Sequence, residues 1–256
     1  MSGFLLACGE MVPTTTEIKE DNRQSRAAQL LRIADTTRQG GDLDSALALY
    51  RRAHAMAPDE ASPLISIADT AYSLGFFEQA ANAYDKAQEM EPENAKVLLG
   101  FGKTLISLDR PDQAIELFQN AIEVNPADHR GYNGYGVSLD MLGRHEEAQN
   151  QYNKGIGVSP ESTSLSNNLA LSLAFVGNFD QAIGILEIFA DDPLASIRIR
   201  QNLALIYGLA GKEELAAKVA AKDLDEAGVA NNLVYYRQLR ELSSRARAQA
   251  VLGTPK

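Results

Sequence analysis

The chain contains no tryptophan and a single cysteine, Cys8. One cysteine excludes an internal disulfide framework and a zinc site built on several thiolates, so cysteine pairing says nothing about redox compartment. Only three histidines occur, His54, His129 and His145, each in a different segment, which leaves no spaced set for a metal centre or for histidine-based catalysis. No stretch approaches the ~18 to 20 consecutive apolar residues of a membrane-spanning helix. Positive charge is also short: 24 Lys and Arg stand against 34 Asp and Glu, a formal net charge of −10. That balance argues against nucleic acid as a partner, because neutralising phosphates needs a clustered basic surface. The tail 229–256 is the exception, with Arg237, Arg240, Arg245, Arg247 and Lys256 against one acid, Glu241. Two readings stand for it, a solvated helix face or a docking surface for an acidic partner or lipid headgroup.

What is present is a period. Alanines recur every 34 residues at Ala46, Ala80, Ala114, Ala148, Ala182 and Ala216, and four residues after each come Tyr50, Tyr84, Phe118, Tyr152, Leu186 and Ala220. Prolines follow the first four alanines at Pro58, Pro92, Pro126 and Pro160; in the fifth copy Pro193 comes one position early and in the sixth there is none. Each period reads as two helices. Ala34, Ala68, Gly102, Gly136, Ala170 and Ala204 let the first helix approach its partner closely. Gly41, Gly75, Gly143, Gly177 and Gly211 end that first helix, with Asp109 in the same place in the third copy. Asp44, Glu78, Asp112, Glu146, Asp180 and Glu214 put a negative charge in the first turn of the second helix, where it meets the positive end of the helix dipole. Proline then closes the second helix because it cannot donate the bond that continuation requires.

This spacing resembles the tetratricopeptide pattern, over residues 27 to about 228 and in six copies. The tryptophan of the full pattern is replaced by Leu30, Leu64, Leu98, Tyr132, Ser166 and Arg200. The expected fold is all-α, a tetratricopeptide-repeat superhelix (α-solenoid) of about six helix-turn-helix repeats with a C-terminal capping helix covering the last repeat. The expected divisions are 1–24 as a lipobox-like N-terminus and flexible tether, 25–228 as the repeats, and 229–256 as capping helix, or helix pair, and basic tail. Two tempting motifs have plainer explanations. GYNGYG, 131–136, lies inside a first helix rather than between a strand and a helix, which excludes a phosphate loop. RHEEA, 144–148, lacks a second histidine at helical spacing, and its Glu146 is the recurrent first-turn acid. With no nucleophile, base and orienting group converging, no enzymatic activity, cofactor or metal is expected.

The informative surface is the inner stripe of the first helices. With Ala27 as position one, positions 2, 5, 9 and 12 fall on one side, and successive first helices merge these stripes into a groove. In the middle and later repeats it carries Lys103, Arg130, Asn133, Asn167, Arg198 and Gln201, with Asn168 and Asn202 beside it. Asp35 and Asp69 make the opposite end acidic. An Asn amide offers one acceptor and a donor group, matching an extended peptide backbone, while the cations favour acidic side chains along it. The alternative is that these are only solvated helix polar residues. In either case the positions are expected to be exposed and to matter little for folding.

Near the N-terminus, LLAC (Leu5 to Cys8) resembles a bacterial lipobox, and the polar segment 9–24 reads as a tether that could reach roughly 50 to 60 Å. Only seven residues precede Cys8, with no positive charge, so the true start is expected upstream of Met1; otherwise Cys8 is an exposed thiol. The chain is similar to the repeat lipoproteins of the tight-adherence (Flp) pilus assembly systems. The resemblance is carried by the lipobox, the tether, the six-repeat length and, most specifically, by RQNLALIYGLAGKEELA (200–216), DL (223–224), NNLVYYRQL (231–239) and RARAQAVLG (245–253). It implies a lipoprotein modified at Cys8, at the periplasmic face of the outer membrane, helping to build the secretion channel and meeting the membrane only through its anchor. A soluble cytoplasmic adaptor for an unrelated peptide client is the competing expectation.

Overall fold

The computed structural model describes residues 15–190 and 196–253, with side chains from residue 23 onward. Among these residues there are fourteen α-helices and no strand, and no helix is long and apolar enough to cross a membrane. The chain falls into two compact units, 1–90 and 91–256. The first holds α1 (Thr15–Gln39), α2 (Leu43–Met56), α3 (Ala61–Ser73) and α4 (Phe77–Met90), each packed on the next. The second holds α5 (Ala95–Ser107), α6 (Pro111–Val124), α7 (His129–Met141), α8 (His145–Val158), α9 (Thr163–Phe175), α10 (Phe179–Ala190), α11 (Ile197–Leu209) and α12 (Glu213–Ala220), then α13 (Glu226–Arg240) and α14 (Ser244–Leu252). Within it α5, α7, α9 and α11 also touch one another in succession, so the first helices form one layer and the second helices back it. The inner face is the side of that layer turned away from the second helices.

The period explains the packing. All six recurrent alanines have no exposed surface, and Tyr50, Phe118, Tyr152 and Leu186 are buried four residues further on. Placing a ring beside an alanine lets two helix backbones close on each other, and burying such a ring contributes about 2 to 3 kcal/mol. Gly136 shows how close: a Cβ built there would fall inside the ring of Tyr152. The first helices end as the glycines require. Gly41, Gly75, Gly143, Gly177 and Gly211 all have φ between +76° and +89°, and Asp109 takes the same left-handed conformation at +59°.

Two boundaries differ from expectation. α1 begins at Thr15, so 15–24 are helical rather than tether; no Gly or Pro interrupts 14–39, and nothing stops the helix running back from the first repeat. Cys8 and the rest of 1–14 lie outside the described residues. At the other end the cap is a helix pair, and it covers more than the last repeat. α13 packs on α11 and α12, whereas α14 packs on α9 and α7, the first helices of the two repeats before.

Candidate functional site

The structure brings four of the expected groove residues into one row. Asn168 Nδ2 on α9 donates to Asn133 Oδ1 on α7 at 2.9 Å, Asn167 Nδ2 to Asn168 Oδ1 at 3.1 Å, and Asn202 Nδ2 on α11 to Asn167 Oδ1 at 2.7 Å. Every bond points the same way, from α11 toward α7. The row is not the exposed ladder that the sequence suggested. Asn167 is 1% exposed and Asn168 3%, while Asn133 and Asn202 are half-buried. The reason is stacking: α7, α9 and α11 lie side by side, so position 6 of one repeat meets position 5 of the repeat before it across the stack before either meets solvent.

Gln201 is tied down as well. Its Nε2 donates to Asp223 Oδ2 at 3.1 Å, and its Oε1 accepts from Asn232 of α13 at 3.4 Å. Beside it Arg200 forms a forked pair with Asp223, whose carboxyl this guanidinium holds below the usual range. An arginine is thus accommodated where the first three repeats carry Leu30, Leu64 and Leu98, because it finds a carboxylate after α12. The remaining cations stay in solvent. Arg130 is exposed at the start of α7 and pairs with Asp128, the N-cap of that helix, at 2.6 Å; Arg198 is exposed in the first turn of α11; Lys103 is exposed on α5. Asp35 and Asp69, expected to make the first repeats acidic, accept the hydroxyls of Tyr50 and Tyr84. Burial and Asp35 push the Tyr50 phenol up to about 12.

Two features escaped the sequence reading. One is a buried polar cluster in which Asp140 accepts from Ser172 Oγ at 2.7 Å and Tyr152 OH at 2.9 Å and lies 2.8 Å from His145 Nδ1. Burial raises the Asp140 carboxyl above its ordinary pKa, against the three hydrogen bonds that favour the ion. Ser172 bonds to the carboxylate and not to the imidazole, so the cluster is a structural knot and not a nucleophile with its base. Among the described residues no three His, Cys, Asp or Glu side chains come together as a metal would require. The second feature is that the C-terminal pair fills part of the inner face. Tyr236 of α13 packs over Gly208, and Leu171, Leu205, Tyr236, Leu239 and Ala248 share one buried cluster. The signal was in the stripe itself. Position 9 is Asp35, Asp69 and Lys103 in the first three repeats but Val137, Leu171 and Leu205 in the next three, and an apolar stripe needs a cover.

The basic tail is spent within the fold. Arg237 and Arg240 both bond to Glu213, at 2.7 and 2.8 Å, and hold its carboxyl down to about 2. A depressed carboxylate adds stability that is present above the unfolded value near 4.5 and is lost as pH falls through about 2. Titration of Glu213 by carbon NMR is therefore expected to show a midpoint of about 2, returning to the ordinary range in Arg237→Ala/Arg240→Ala. An unmoved midpoint would mean that these arginines do not hold α13 to α12. Arg247 is engaged by backbone carbonyls, and the stem of Arg245 lies on Gly143. Lys256 lies outside the described residues.

Paired helices repeating every 34 residues, closed on a small residue and a ring, define the all-α tetratricopeptide-repeat fold. A tetratricopeptide repeat family model matches residues 71–135. Among solved structures, a tetratricopeptide repeat protein from Parabacteroides merdae is similar, with TM-score 0.69 and 22% identity over 82% of this chain and 84% of that one. YrrB, described as a TPR protein with an unusual peptide-binding site, matches with TM-score 0.56 and 21% identity over 83% and 99%. PilF of Pseudomonas aeruginosa matches with TM-score 0.63 and 16% identity over 91% and 99%. No curated protein matches the chain by sequence.

Proposed function

We propose that this protein is a non-enzymatic scaffold that holds an extended, acidic segment of another protein along the inner face of its second unit. The tetratricopeptide fold is consistent with protein binding, and the observation that carries the particular reading is the placing of Arg130 and Arg198. Both are exposed at the starts of α7 and α11, on either side of an amide row that runs α7–α9–α11. Asn133 and Asn202 end that row half-buried, so each amide has capacity left for a backbone laid between the arginines. The setting we propose is that of a lipoprotein anchored through Cys8 in the cell envelope, assisting assembly of a tight-adherence (Flp) pilus secretion channel. It rests on the lipobox-like LLAC, the polar segment after it and the C-terminal motifs.

The test uses the full chain expressed from its complete upstream reading frame. Arg130→Glu/Arg198→Glu is expected to weaken capture of acidic pilus-channel segments on the order of tenfold at low salt, and less at high salt, with unchanged helix content. Cys8→Ser is expected to leave the membrane fraction while still capturing the same segments. Capture indifferent to the arginines would overturn the groove, and equal membrane association of the Cys8 variant would overturn the anchor.

A further inference from the structure

α14 is nine residues long, and a helix of that length is marginal in water on its own. It owes its helicity to its seat. That seat is made by the C-terminal ends of α7 and α9: Ala248 is completely buried there, the stem of Arg245 lies 3.0 Å from the Cβ position of Gly143, and Gly253 comes to Met141 Cε. The chain joining it to α13, 241–243, is exposed throughout.

Arg247 is the clip. Its Nη1 donates to Phe175 O at 3.0 Å, at the end of α9, while Nε donates to Leu239 O at 3.1 Å and Nη2 to Arg240 O and Leu242 O, at the end of α13. The partners shown for this guanidinium are carbonyls at the negative ends of two helices, and partial burial lowers its pKa, so the seat selects for a cation without offering an opposite formal charge. Small residues alternate with arginines along α14, in the order Arg245, Ala246, Arg247, Ala248. Met141, buried on α7, has its Cε against Gly253 at the end of this helix.

We propose that this seat is a second docking site, for a short partner helix carrying an arginine beside small residues, and that α14 is its resident competitor, released when such a helix arrives. The proposal rests on the reading of the protein as a binding scaffold but not on the acidic client at Arg130 and Arg198, which would take a partner of opposite charge. Helix-in-groove recognition fits the geometry: one buried small face and one charged anchor. A nine-residue terminal helix attached by an exposed hinge is also the kind of element that opens at lower free energy than the body it covers.

The probe is a capped, dye-labelled peptide of residues 243–253, read by fluorescence anisotropy against the full chain. Wild type should bind it weakly, because α14 holds the seat. Arg247→Ala and, separately, Ala248→Glu in the full chain each loosen α14 and should bind the wild-type peptide about tenfold more tightly or better, since the competent fraction rises. The same peptide with Arg247→Ala should fail on every form. Hydrogen exchange should show α14 amides opening ahead of α7 and α9. Equal peptide affinity for wild type and both variants, or α14 exchanging only with the body, would overturn the proposal. So would dimerisation of the variants with the peptide excluded, which would give the seat to a second copy. Retained peptide binding alongside acidic-segment capture that does not respond to Arg130→Glu/Arg198→Glu would sink the acidic groove alone.

Discussion

Replacing Gly136 with leucine is expected to cost about 3 kcal/mol or more of unfolding free energy, among the largest losses open to a single substitution in this chain. The position lies where α7 crosses α8, and even a methyl group would enter the ring of Tyr152. That ring cannot step aside. It has no exposed surface, and its hydroxyl is held 2.9 Å from Asp140, which is itself bonded to Ser172 of α9. Moving the ring would therefore break the buried polar knot, and moving the helix would open the repeat. Urea denaturation measures the loss, with Gly184→Ala as the control. Gly184 is exposed in α10 with nothing near its Cβ position, so alanine there should stabilise by about 0.5 to 1 kcal/mol. Equal stability of wild type and Gly136→Leu would mean that α7 and α8 do not cross where the period puts them.

The repeat architecture was legible because the pattern is redundant. Six alanines in register, each buried to zero exposure, state one helix pair six times, and a lapse such as Asp109 for glycine does not blur it. The site was less legible because its residues act across repeats. Nothing in the sequence alone pairs Asn168 with Asn133, 35 positions away, or distinguishes an amide facing a client from one facing the next helix. Asp140 was passed over for a similar reason. It stands at position 12, where the first three repeats carry Arg38, Tyr72 and Ile106, so periodicity gave no warning of a buried acid. Its partners lie on α8 and α9, beyond the reach of spacing rules. The C-terminal pair could have been placed by one more comparison, the change of position 9 from charged to apolar after the third repeat. Reading each repeat against the average hides such a drift, and reading the same position down the stack reveals it.

That distinction makes Asn167→Ala/Asn168→Ala the most informative variant of the amide row, with an outcome opposite to that for surface residues. The amides are buried, and each removal deletes a hydrogen bond and strands a neighbour. Asn202 loses the Asn167 oxygen it donates to, and Asn133 loses the donor from Asn168. The double variant loses three hydrogen bonds of about 0.5 to 1.5 kcal/mol each, while the stranded amides are only half-buried, so it should lose about 2 to 4 kcal/mol where an exposed substitution would change stability by less than about 0.5. Part of this returns if the stranded partners are removed too: adding Asn133→Ala and Asn202→Ala should make the fourfold variant more stable than the double, because no half-buried amide is then left without its partner. Denaturant midpoints of the wild type, the double and the fourfold variant decide it. A double variant as stable as wild type would place these amides in solvent and restore them to the client, whereas a fourfold variant worse than the double would mean that the outer two amides hold the repeats together by themselves. With the expected order, the row is the hinge pin between α7, α9 and α11, and client binding must be sought at its rim, where Arg130 and Arg198 stand exposed.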